Sequence, residues 1–90
     1  MSEPYDLRWS RSAMKAAAEQ LPEHVAAAVL ALVLGPVRSD PHRVGKPLQE
    51  PLAGLWSARR ATYRVIYSID DDKHLVTIEV VKHRRDAYRT

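Results

Sequence analysis

Residues 62–82 read TYRVIYSI, then DDDK, then HLVTIEVVK, two runs rich in Val, Ile, Thr and Tyr around a break of turn-forming residues. Branched and aromatic side chains suit a pleated, half-buried surface, and an Asp-rich break between two such runs is a hairpin signal. This is the strongest constraint on the fold. A hairpin alone is marginal in water, so the chain has to supply further strands and a layer to cover the apolar face.

Because side chains alternate along a strand, Tyr63, Val65, Tyr67 and Ile69 are expected on the core face, with Arg64, Ile66 and Ser68 on the other. In the returning strand, strict alternation assigns Val76, Ile78 and Val80 to the core. It assigns Leu75, Thr77, Glu79, Val81 and His83 to the opposite face. Arg64 and His83 then point the same way, an assignment that a single bulge would reverse.

The cover comes from the first half of the chain. Tyr5, Leu7 and Trp9 alternate with Asp6 and Arg8, which predicts a short strand over residues 5–9. Ser10 or Ser12 caps a helix whose stripe is read as Met14, Ala17, Ala18 and Leu21, ending near Leu21. Pro22 and Glu23 suit the start of a second, almost wholly apolar helix, expected to stop at Gly35-Pro36. Residues 36–51 hold four prolines and Gly45 and read as an irregular connection, long enough to suggest a functional role or a missed element. A further strand spans residues 55–60. The order β-α-α-β-β-β implies an α+β fold, a mainly antiparallel sheet with a helical hairpin on one face. At 90 residues the chain is expected to be a single domain, 1–90, with any site on the surface or edge of that layer.

The absence of cysteine excludes thiolate nucleophiles, disulfide scaffolds and cysteine-based zinc sites. The N-terminus lacks a basic stretch followed by an apolar segment, and the apolar run from Val25 to Leu34 is about half a bilayer span, so a cytoplasmic protein is expected. The net charge of +3 is unevenly distributed. Up to Gly35 there are three Lys and Arg against four Asp and Glu; beyond it there are eleven against seven. Three of those seven acids are the adjacent Asp70, Asp71 and Asp72, so the rest of the second half is strongly basic and suits a phosphate-bearing partner.

Arg64 and His83, followed by Arg84, Arg85, Tyr88 and Arg89, form the constellation with chemical content. RNA is cut when a ribose 2′-hydroxyl attacks the adjacent phosphate, which needs a proton acceptor, a proton donor and cations for the developing charge. Arginine gives fixed bidentate charge, histidine is the side chain suited to proton transfer near neutrality, and an aromatic ring stacks on an unpaired base. Asp70, Asp71, Asp72 and His74 read as a turn rather than a metal site, since successive turn residues diverge. Trp9 and Trp56 read as core or interface anchors. No metal and no cofactor is expected.

Three segments, GKPL at residues 45–48, GLWSARRATYRVIYSIDDD at 54–72 and HRRDAYR at 83–89, closely resemble the second half of RelE/ParE-family toxins. The resemblance implies a toxin that occupies the ribosomal decoding site, cleaves mRNA without a metal, and is held inactive by a cognate antitoxin. It assigns Arg64 to the family's phosphate-binding arginine and Arg59 to a basic residue of the preceding strand. His83 and Tyr88 match proton-transfer and base-stacking positions, while Arg60, Lys82, Arg84 and Arg85 supply further RNA-binding charge. Lys46 stands where some members carry an acidic base and others a lysine. Leu55 and Ser57 stand where members using strand lysines carry them, so the proton falls to His83 or to Lys46. The branch that inhibits DNA gyrase shares the fold and is the alternative function.

Overall fold

The computed structural model describes residues 3–60 and 62–83. Strand β1 (Asp6–Trp9) leads into helix α1 (Arg11–Lys15), which continues as a wider π turn over Ala16–Gln20. Helix α2 (Glu23–Leu32) likewise continues as a π turn over Val33–Val37. Then come α3 (Pro41–Val44), β2 (Lys46–Pro47), β3 (Trp56–Arg60), β4 (Tyr63–Asp70) and β5 (Leu75–His83). The strands form one sheet in the order β1-β5-β4-β3-β2, antiparallel except where β1 runs parallel to β5. The α+β architecture expected from the sequence is the one observed.

Three local readings are corrected. The second helix does not stop at Gly35-Pro36 but passes through Pro36 to Val37. Proline lacks the N–H and its ring crowds the carbonyl one turn back, and a π turn widens the helix at that point. The connection over residues 36–51 is not irregular throughout, because it contains α3 and β2. In α1 and its π turn the buried positions are Ala13 and Ala16, while Met14 is 56 % exposed and Ala18 is exposed; of the stripe read from the sequence only Ala17 and Leu21 are partly buried, Leu21 against the core.

The core lies between the helices and one face of the sheet. Val25, Val29, Leu32, Val33 and Val37 meet Tyr63, Val65, Tyr67, Val76, Ile78 and Val81, with Ala58 from β3. Two phenols fix this packing: Tyr63 donates to the Ala28 carbonyl at 2.9 Å and Tyr67 to the Pro41 carbonyl at 2.6 Å. Gly45 lies against Tyr67, and a Cβ there would stand 2.9 Å from Tyr67 Cζ, closer than real Cβ contacts allow. Only glycine passes at this point, just before β2 joins the sheet.

The returning strand is not regular. Ile66 pairs with Val80 but Tyr67 pairs with Ile78, so Glu79 is an extra residue in β5. Ser10 holds this bulge. Its backbone N–H donates to the Ile78 carbonyl at 2.8 Å and its Oγ to the Glu79 carbonyl at 2.6 Å. The same Oγ accepts from the Ala13 N–H at 3.0 Å, capping α1. The bulge reverses the alternation: Val81, not Val80, enters the core. The expectation that Arg64 and His83 share a face is therefore overturned, because His83 is in register with Tyr63 and Arg64 with Lys82.

Among the described residues no helix is long and apolar enough to cross a membrane.

Candidate functional site

On the sheet face away from the helices, the register sets Arg59 of β3 opposite Arg64 of β4, and Arg64 opposite Lys82 of β5. Directly opposed side chains in antiparallel strands have Cβ atoms about 5 Å apart, so three cations form one transverse row. Arg59 and Lys82 at its ends are exposed and Arg64 in its middle is half-buried. Like charges directly opposite destabilise a sheet, so the row is a local cost kept where charge is needed.

Lys46 joins the same face from the sheet edge. It is in register with Ser57, which is in register with Ile66, one step along the strands from the row. Ile66 is buried, 8 % exposed, without belonging to the helix-side core. The row is thus flanked by an apolar strip of Ile66 and Val80.

Of the residues singled out from the sequence, Arg59, Arg64, Lys82 and Lys46 come together here. Arg60 is in register with Tyr63 and lies on the other side of the pleat, exposed at the strand end. His83 follows Lys82 at the end of β5, and its Nε2 is 3.1 Å from Thr62 Oγ1. Like Arg60 it is in register with Tyr63, so it lies on the other side of the pleat from the row, at the strand end. Arg84, Arg85 and Tyr88 lie outside the described residues. Lys82 had been read from the sequence as one RNA-binding residue among several; its place directly opposite Arg64 follows from the bulge.

At the far end of the sheet the acidic turn is structural. Asp71 accepts from the Tyr5 hydroxyl at 2.6 Å and meets His42 Nε2 at 3.0 Å, and these two bonds hold its carboxyl below the usual range. Asp70 accepts from the Lys73 N–H at 3.1 Å, and the His74 ring stacks on Tyr5 with centroids 3.8 Å apart. Among the described residues no three His, Asp or Glu side chains are grouped to hold a metal ion.

A family model described as the ParE toxin of the type II toxin-antitoxin system, parDE, matches residues 6–88. The chain belongs to the RelE/ParE toxin family. Within the family it is 51 % identical over 71 residues to Toxin RelE of Mycobacterium tuberculosis, covering 79 % of this chain and 73 % of that one. It is 45 % identical over 86 residues to Toxin RelG of the same organism, covering 96 % and 98 %. Among solved structures, the toxin-antitoxin complex RelBE2 from Mycobacterium tuberculosis superposes with a TM-score of 0.89 at 43 % identity, over 96 % of this chain and 98 % of that one. The isolated RelE toxin of E. coli, at 20 % identity and a TM-score of 0.71 over 88 % and 83 % of the two chains, shares the RelE-like fold.

Proposed function

We propose that this RelE/ParE toxin is an endoribonuclease that cleaves mRNA on the ribosome, in the cytoplasm, and that a cognate antitoxin holds it inactive. The observation that carries this reading is the row Arg59–Arg64–Lys82 on the uncovered face, with Lys46 beside it. An RNA strand laid across the row places one phosphate between fixed cations. In the cleavage step the 2′-oxygen bonds to phosphorus and the bond to the 5′-oxygen breaks, leaving a cyclic phosphate and a 5′-hydroxyl. Negative charge builds on the non-bridging oxygens, where preorganised cations stabilise it. Arg64 takes these oxygens bidentately, and Arg59 and Lys82 complete the cradle.

The proton falls to Lys46, on the row's own face, or to His83, which Thr62 holds at the strand end on the other side of the pleat. Tyr88 stacks on the adjoining base. No step in this scheme calls for a metal. With so few proton-transfer groups, alignment of the substrate by the ribosome supplies much of the effect. The antitoxin blocks RNA by covering the row with an acidic or wrapping segment.

The test is primer extension on mRNA from cells briefly expressing the chain. Wild type should leave discrete cleavage ends. Arg64→Ala should reduce them about 100-fold or more with the fold intact, and Arg64→Lys should restore only part. His83→Gln and Lys46→Ala separate the two proton carriers. Because the matching family model is that of ParE, inhibition of DNA gyrase is the second reading. Intact mRNA together with blocked supercoiling by purified gyrase would replace the first by the second.

A further inference from the structure

The open face carries a second row. Ser68 of β4 is in register with Thr77 of β5, and Thr77 with Arg8 of β1. Beside it, the extra residue Glu79 turns its carboxylate to the same face, where Oε2 accepts from Ser68 Oγ at 3.2 Å. The open face is therefore banded: cations at Arg59, Arg64 and Lys82, an apolar strip at Ile66 and Val80, then a polar band of Ser68, Thr77 and Arg8 with the carboxylate of Glu79 bonded to Ser68. Ser68 is four residues along β4 from Arg64, about 13 Å at the usual strand rise. That is the span of one or two nucleotides of an extended single strand.

A carboxylate beside a phosphate-binding row repels the backbone of RNA, so backbone binding does not account for Glu79. Its chemistry suits the other side of a nucleotide. An ionised carboxylate only accepts, at about four sites, and the Ser68 bond occupies one of them while fixing the group's orientation. Single-stranded RNA is read at the Watson–Crick edges of splayed bases. Among the four bases guanine alone offers two adjacent donors there, the ring N1–H and the exocyclic amine, which match the two oxygens of one carboxylate. Uracil sets its one N–H between two carbonyls that a carboxylate repels.

We propose that Glu79, oriented by Ser68, is a specificity-determining residue that reads a guanine one or two nucleotides from the phosphate held by the Arg59–Arg64–Lys82 row. This rests on the RNA reading above and deepens it. The bulge is integral to the arrangement, because the inserted residue is the one that carries the base-reading group.

The probe is a set of four 2′-O-methyl hexanucleotides, which cannot be cleaved, each oligouridine with U, C, A or G at one central position. Binding is followed by fluorescence anisotropy. The wild type should bind the guanine oligomer about 10-fold more tightly than the all-uridine one, at the lower end of what a bidentate base contact contributes. Glu79→Gln, isosteric and on the open face, should bring the guanine oligomer down to the level of the uridine one. Ser68→Ala should reduce the preference part-way, and circular dichroism checks that each variant is folded. Arg64→Ala should weaken all four oligomers by the same factor. Four equal wild-type affinities, or a guanine preference that survives Glu79→Gln, would overturn the base-reading role while leaving the phosphate row in place. Affinities indifferent to Arg64→Ala would remove the RNA reading itself, and this inference with it.

Discussion

Replacing Ser10 with alanine removes two bonds through one oxygen. The Oγ accepts from the Ala13 N–H at 3.0 Å and donates to the Glu79 carbonyl at 2.6 Å. Loss of an N-cap costs about 1 kcal/mol, and loss of a partner to a half-buried carbonyl about another. A fall of about 2 kcal/mol corresponds to a drop of roughly 10 °C in Tm for a chain of this size. Urea and thermal unfolding followed by circular dichroism measure it. Ser10→Thr keeps both bonds and should stay near wild type. Ser10→Asp keeps the cap but cannot donate to Glu79, so it should fall between the two, and amide exchange at Val80 to Lys82 should quicken in Ser10→Asp and Ser10→Ala alike. A Ser10→Ala protein within about 0.3 kcal/mol of wild type, or a Ser10→Asp protein with unaltered exchange there, would refute the argument that this hydroxyl holds the bulge.

Gly45→Ala should destabilise by about 2 kcal/mol in urea, because the new Cβ displaces the enclosed Tyr67 ring and its bond to Pro41. Burial pushes the Tyr67 phenol from 10.0 up to about 12. The folded state therefore keeps a proton that the unfolded chain gives up, and the stability tied to that proton is complete below pH 10.0 and lost as pH rises towards about 12. Urea midpoints measured on either side of pH 10 should show this loss, and Tyr67→Phe should reduce it. Arg59→Gln or Lys82→Gln relieves like-charge opposition across the sheet. Each should raise stability by a few tenths of a kcal/mol while lowering RNA affinity, with a log–log salt slope shallower by about 0.7 per charge removed.

The hairpin, both helices and the sheet layer were legible because each has a period: two in the strands, 3.6 in the helices. Tyr63, Val65 and Tyr67 entered the core as alternation requires. Arg59, Arg64, Lys46 and Lys82 were legible as residues, and their arrangement on one face was not. Arg59, Arg64 and Lys46 were recognisable in the resemblance to the family, whereas the place of Lys82 depended on a phase shift that residue types mark only faintly. The faint signal is Val80-Val81, two apolar residues in succession inside the strand, a pattern that Leu75-Val76 also shows at its start. Ser10 was visible as a cap, but its second bond joins residues 69 positions apart, and no local pattern encodes that. Pro36 misled for a related reason, since its usual effect on a regular helix is avoided when the helix widens around it.

The bulge resolves two demands that β5 cannot meet as a regular strand. Below it, Val76 and Ile78 must face the helices. Above it, the strand must bring a cation opposite Arg64 and an apolar side chain opposite Val65. Unbroken alternation from Ile78 would carry Val80 and Lys82 to the helix side, setting an ammonium against the buried end of the core and leaving Val81 among the arginines. Burying an unpaired ammonium costs several kcal/mol, far more than an irregularity in the ladder. Inserting Glu79 exchanges the two residues: Val81 fills the core opposite Val65, and Lys82 completes the row opposite Arg64. The ladder loses a pairing at Glu79, and Ser10 satisfies the carbonyl left over there. The feature that makes the strand irregular is thus the one that places the third cation, which is why the Ser10 and Lys82 variants test the same piece of geometry from its two ends.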